Sequence, residues 1–183
     1  MLAIISVCRA GEPTANDQDN VILGKILQGR NGNGGFIVVA PTTYMGPHKV
    51  TNPSGLKERV NAIIKLEGYD AAPLVDKLLE KNSTTSRLSL ESHPERGYLV
   101  DYDGQFRRYF KENGGGWSAW HRDHPEAHGY ARVSLPVYDE KAGIVLVYID
   151  IQSDRLAGAG HLVVYRYENG NLKELGRVLR RIS

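Results

Sequence analysis

Hydrophobic and polar positions follow two rhythms along this chain. From Val133 onward the rhythm is that of strands. Residues 133–138, 143–151 and 161–167 are runs of β-branched, aliphatic and aromatic residues, a composition that suits a pleated, half-buried surface. Asn169 and Gly170 follow the third run, and that dipeptide beside a strand-like run predicts a hairpin. The closing segment fits two periods. Leu172, Leu175, Val178, Leu179 and Ile182 suit a helix, whereas the Asn-Gly turn before them favours a strand with Gly176 as a bulge. We read it as a strand, so the last third predicts an antiparallel meander.

The first half carries helical spacing. Ile22, Leu23, Ile26 and Leu27 mark a short helix that Asp17 or Asp19 would cap. Residues 36–40 form a compact apolar run and predict a strand. Leu56, Val60, Ile63 and Ile64 define an amphipathic helix after an N-cap at Ser54, stopped by Gly68. Asp70 would cap another helix, with Pro73 in its first turn and Leu74, Leu78 and Leu79 on one side, ending at Lys81 and Asn82. Residues 87–92 alternate and predict a strand. Residues 97–102 predict another, with 105–110 returning as its hairpin partner. Three glycines at 114–116 precede one or two helical turns at Trp117 and Trp120. These elements give an α+β class: N-terminal helices packed on a C-terminal antiparallel β-meander, in a single domain over residues 1–183. Residues 1–19 read as a tail or a signal remnant. The apolar stretch 1–10 lacks a positively charged start, which favours a first strand or ordered tail over a signal.

Composition narrows the function classes. The chain has 183 residues, 41% hydrophobic and 24% charged, with a net charge of +2. That length supports a core without staples. The charge balance gives no reason to expect nucleic acid as a partner. Cys8 is the sole cysteine, so no intramolecular disulfide forms. No apolar run approaches the ~18 residues of a membrane span.

Two clusters carry candidate metal chemistry. His121, His124 and His128 lie within eight residues, together with Asp123 and Glu126, and imidazole with carboxylate suits zinc. Pro125 disfavours helix at His124, so the spacing is not that of an established motif, and a polar loop is the alternative. Asp150 and Asp154 bracket the start of a connection running to Gly160 and could hold calcium through carboxylate oxygens; a long hairpin loop with turn glycines is the competing account. Nucleophile signatures fail, because Trp120 stands where an elbow around Ser118 needs glycine. The glycines near residue 32 make no phosphate-binding fingerprint. Ten tyrosines, against three phenylalanines and two tryptophans, concentrate in the sheet half. Tyr148, Tyr165 and Tyr167, with Trp117 and Trp120, are candidate ligand-binding residues, since such rings give apolar contact and tyrosine adds a polar tip. Cross-strand pairing that stabilises the sheet is the other role open to them.

Lys81, Asn82 and Leu88, then Trp117, Trp120, Pro125, Gly129 and Ser134, then the strands over 142–148 and 162–165 joined through Leu156, Gly158 and Gly160, and the closing Ile182 and Ser183, resemble a family of uncharacterised bacterial α+β proteins, many of them exported. The resemblance covers roughly the last 110 residues. It implies a C-terminal antiparallel sheet and a periplasmic or exported location, a cytoplasmic one remaining open. It supplies no activity. The family's flanking cysteines are replaced here by Ser153 and Ala157, its tryptophan before Ile-Ser by Arg181, and an aromatic before the proline by His124. The leading expectation is a domain that binds a small molecule or protein without catalysis. The alternatives are a divalent-metal-dependent hydrolase of a small ester or lactone and an inhibitor or immunity-type protein.

Overall fold

A computed structural model describes residues 15–28, 34–45 and 53–182. Helices α1 (Asp17–Leu27), α2 (Pro53–Ile64), α3 (Ala72–Lys81) and α4 (Gly116–Asp123) accompany strands β1 (Phe36–Val39), β2 (Tyr98–Val100), β3 (Ala127–Val133), β4 (Val137–Asp139), β5 (Ile144–Asp154), β6 (Ala157–Glu168) and β7 (Asn171–Ile182). The expected α+β class stands. Among the described residues no helix is long and apolar enough to cross a membrane.

The strands form one sheet in the order β2-β1-β3-β5-β6-β7, with β4 on the same edge of β5 as β3. From β3 onward the pairing is antiparallel, and β5, β6 and β7 are the expected meander. β1 departs from that pattern. It lies parallel between β2 and β3, and Ile37, Val38 and Val39 are all buried, as befits a strand covered on both faces.

That placement overturns the hairpin expected over 97–110. β2 pairs with β1 instead. The Asp101 carboxylate accepts the backbone N–H groups of Phe106 and Arg107 at 3.1 and 2.9 Å, winding Arg107–Phe110 into a 3-10 turn. Residues 87–92 form no strand either. Arg87 makes one bridge to Thr42, and the Tyr102 hydroxyl accepts the Leu90 N–H at 2.9 Å, so a side chain occupies the place of a neighbouring strand.

Other local expectations are also corrected. The cap of α1 is Asn16, whose Oδ1 accepts the Asp19 N–H at 2.8 Å. Asp19 itself is buried and pairs with Lys81 at 2.7 Å. The expected tail over 1–19 overlaps this helix from Asp17 on; residues 1–14 lie outside the described residues. α2 starts before Ser54 and ends before Gly68, with Lys65 taking a positive φ of 51°. Asp70 does accept the Ala72 N–H, at 2.9 Å. The connection expected from Asp150 to Gly160 is mostly strand, because β5 runs to Asp154 and β6 starts at Ala157. The run over 133–138 is broken between β3 and β4. There the Ser134 Oγ accepts the Tyr148 N–H at 2.9 Å in place of a backbone carbonyl, and Asn82 clamps Leu135 through both its N–H and C=O, at 2.7 and 3.0 Å. β7 is bulged twice, at Leu175 next to Gly176 and at Arg180.

Strand alternation sorts the core. One face carries Ile37, Val39, Ala131, Val133, Val145, Val147 and Val163 beneath α1. The other carries Leu146, Tyr148, Leu162, Val164 and Val178 beneath α2 and α3. Further along this second face, Val38 packs with Phe106, Tyr109 and Trp120 of the 3-10 turn and α4. The two helical groups leave a strip of the second face between them.

Candidate ligand-binding site

The uncovered strip is floored by two neighbouring cross-strand pairs, Tyr130 opposite Gln152 and Arg132 opposite Asp150. Ala131 and Val133 point into the core beneath α1, so alternation turns Tyr130 and Arg132 to this side. A cavity of about 440 Å³ stands on the floor, lined by Tyr130, Arg132 and Gln152 below, Phe110, Trp117 and Arg107 on one flank, and residues 40–44 on the other.

The aromatic flank is built by the 3-10 turn and α4. Trp117 packs on Phe110 with ring centroids 4.7 Å apart and on Trp120 at 5.3 Å. Phe110 meets Tyr130 edge-on at 6.2 Å. Trp120 is fully buried and donates its indole N–H to the Ala127 carbonyl at 2.8 Å, so it anchors α4 and does not line the cavity. Burial pushes the Tyr130 hydroxyl up to about 12, with Asp101 adding to the rise and Arg107 and Arg132 opposing it.

The polar end rests on Asp150, whose side chain has no solvent exposure. Its Oδ2 accepts from Arg132 Nη2 at 2.7 Å. Its Oδ1 accepts from Arg181 Nη2 and Nε at 2.9 and 3.2 Å. Arg181 reaches across β6 at Gly160, which sits between the two in register. Tyr44 lies against the Arg132 guanidinium, 4.2 Å from ring centroid to carbon, a cation–π contact that fixes the plane of the fork. Two arginines share one carboxylate here, leaving an excess positive charge; Arg107 stands nearby, its backbone N–H held by the buried Asp101 carboxylate at 2.9 Å. Among the described residues Arg107 makes no side-chain hydrogen bond or ion pair, and none of those lining the cavity is acidic.

The residues expected to bind ligand or metal do not gather in one place. Of the candidate rings, Trp117 lines the cavity. Tyr148 is buried on the same face beneath α2 and α3, while Tyr165 and Tyr167 belong to the opposite face. His121 stacks on Trp117 at 5.8 Å, with its Nε2 3.0 Å from the Ser153 carbonyl oxygen. His124 packs on Phe106 and Tyr109 at 4.6 and 5.7 Å. His128 is exposed on β3. Asp150 is held by its arginines, and Asp154 accepts the Arg155 N–H. Among the described residues no three histidine, cysteine or carboxylate side chains converge as a metal site would require.

Sequence reasoning did not single out Tyr44, Arg107, Phe110 or Arg132, and it met Tyr130 only among the tyrosines of the sheet half and Gln152 only within the connection expected from Asp150 to Gly160. One signal pointed to the polar end: Asp150 follows six apolar residues in a strand, and a carboxylate buried there demands a cationic partner.

No family model, curated protein or solved structure matches the chain.

Proposed function

We propose that this protein is a small-molecule-binding domain, acting without catalysis, whose ligand occupies the cavity over Tyr130, Arg132 and Gln152. The observation that carries the reading is the cavity itself, about 440 Å³ with an aromatic flank and a polar floor built on the sheet. Ligand sites commonly have this size and this mixture of apolar wall and few polar groups. The floor stands on strands, so its polar groups are held in place before a ligand arrives, which lowers the ordering cost of binding. The lining offers Thr42 and Thr43 hydroxyls, with no histidine, cysteine or carboxylate beside them to activate one.

The test is a backbone and indole amide NMR titration with three one-ring probes: benzyl alcohol, benzamide and benzoate. Saturable shifts at Trp117, Tyr130 and Gln152 with at least one probe are expected, and Trp117→Ala should remove them. If all three leave those signals unmoved at millimolar concentration, the reading is wrong.

A further inference from the structure

The cavity's charge pattern narrows its occupant further than its shape does. Resting on the proposed ligand site, we infer that the ligand is a planar organic anion, an aromatic or similarly flat body bearing a carboxylate, with the ring against Trp117 and Phe110 and the anionic group between Arg107 and Arg132.

Three features combine. First, the two charged side chains in the lining are both arginines. Two buried carboxylates lie close by, and neither lines the cavity: Asp150 is behind Arg132 with no exposed surface, and Asp101 accepts the backbone N–H groups of Phe106 and Arg107, so a ligand meets the guanidinium groups and not the acids. Second, Arg132 is held rather than free. Its Nη2 is used by Asp150 and one face by Tyr44, which leaves its other donors available in a fixed plane, and a third of its side chain is exposed. A pre-set guanidinium fork suits a carboxylate, whose two oxygens match its geometry. Third, Arg107 sits on the rim with an exposed side chain and no partner among the described residues, while still acting electrostatically on Tyr130. An anion between these two arginines would meet positive charge that no acidic side chain in the lining faces. The flank that carries Arg107 also presents the Phe110 and Trp117 rings, and a flat apolar body is what stacks there. Asp150 and Arg181 are positioning residues in this arrangement: they orient Arg132 and do not touch the ligand.

The experiment compares dissociation constants for benzoate, its uncharged analogue benzamide and inorganic phosphate, by calorimetry on the whole chain. Benzoate is expected to bind about tenfold or more tightly than benzamide, as a charge-assisted contact to arginine implies, to weaken as salt rises, and to exceed phosphate by a similar factor. Arg107→Gln changes an exposed side chain, so its fold is secure; it should erase most of the benzoate preference, bringing the benzoate constant close to that of benzamide measured on the same variant. Arg132→Gln should do the same, with its thermal melt confirming a folded protein. Equal affinity for benzoate and benzamide overturns the anion inference and leaves the ligand site standing. Phosphate binding as tightly as benzoate overturns the organic body. No binding by benzamide or benzoate, together with unmoved cavity signals, overturns the ligand-site reading itself.

Discussion

The Tyr148 hydroxyl occupies the space that a side chain at Gly160 would need. A Cβ built on Gly160 would lie 2.1 Å from that oxygen and 2.9 Å from the ring carbon bearing it. Gly160 is therefore required by a neighbour's side chain, in the strand that Arg181 crosses to reach Asp150. Gly160→Ala should destabilise the protein by about 1–3 kcal/mol through overpacking. Tyr148→Phe in the same chain should recover part of that loss by removing the nearer atom. Urea unfolding of the two single variants and the double measures both effects; a double variant no more stable than Gly160→Ala would show that the clash is not the cause.

Asp150 binds β3 to β7 across two intervening strands by holding Arg132 and Arg181 together. Asp150→Asn keeps the shape and removes the charge that pairs both arginines. We expect a loss of about 3 kcal/mol, in the range for breaking a buried pair, read from the urea midpoint. Because both guanidinium groups keep some exposure, they can turn toward water, so a loss well above that range would mean β7 had come away from the sheet.

Asn82 caps the end of α3 and holds the break between β3 and β4 through Leu135. Asn82→Ala strands the Leu135 N–H and should cost about 2 kcal/mol. Amide hydrogen exchange would place the damage: faster exchange at Leu135 and through β4, with β6 unaffected.

Three tyrosines make the fold sensitive to alkali. Burial pushes the hydroxyls of Tyr130 and Tyr148 up to about 12, and does the same to Tyr69 with Asp139 adding to it. An unfolded tyrosine ionises near 10. Between those values the unfolded chain has released protons that the folded chain retains, so stability falls as pH rises. The contribution is complete below about pH 10 and is lost toward pH 12. Melts across pH 8–12 should show a falling Tm above 10, with tyrosinate absorbance in the folded protein still rising toward pH 12. Tyr130→Phe should shrink the rise near pH 12; an unchanged rise there would mean that Tyr130 ionises earlier.

How much the sequence revealed depended on how local each signal was. α3 was legible because Leu74, Leu78 and the Asn82 end report a period that needs no partner. β5, β6 and β7 were legible as strands because each pairs with its neighbour in sequence and Asn169 and Gly170 mark one of the two turns; the other turn, at Arg155 and Leu156, was hidden inside the longer connection expected from Asp150 to Gly160. β2 was legible as a strand but its pairing was not, since its partner β1 lies some sixty residues earlier and nothing within 97–110 separates a parallel strand from half of a hairpin. The same limit hid the candidate site. Trp117 was noticed as a ring, but Arg107, Arg132 and Tyr44 become one arrangement only when the 3-10 turn and the segment after β1 meet over β3.

The parallel placement of β1 has a consequence for how the protein comes off the ribosome. The strand is made early, yet its two neighbours emerge roughly sixty and ninety residues later, a closure that slows folding. Until β3 is synthesised, Ile37, Val38 and Val39 are a short apolar segment with no sheet to enter. The meander of β5, β6 and β7 can assemble from local contacts as soon as it is complete, and β1 has to be captured into a sheet whose later strands are already in hand. A nascent chain halted before Ala127 should therefore remain open to protease across residues 36–39, and should be an early point of engagement for chaperones that recognise exposed aliphatic segments.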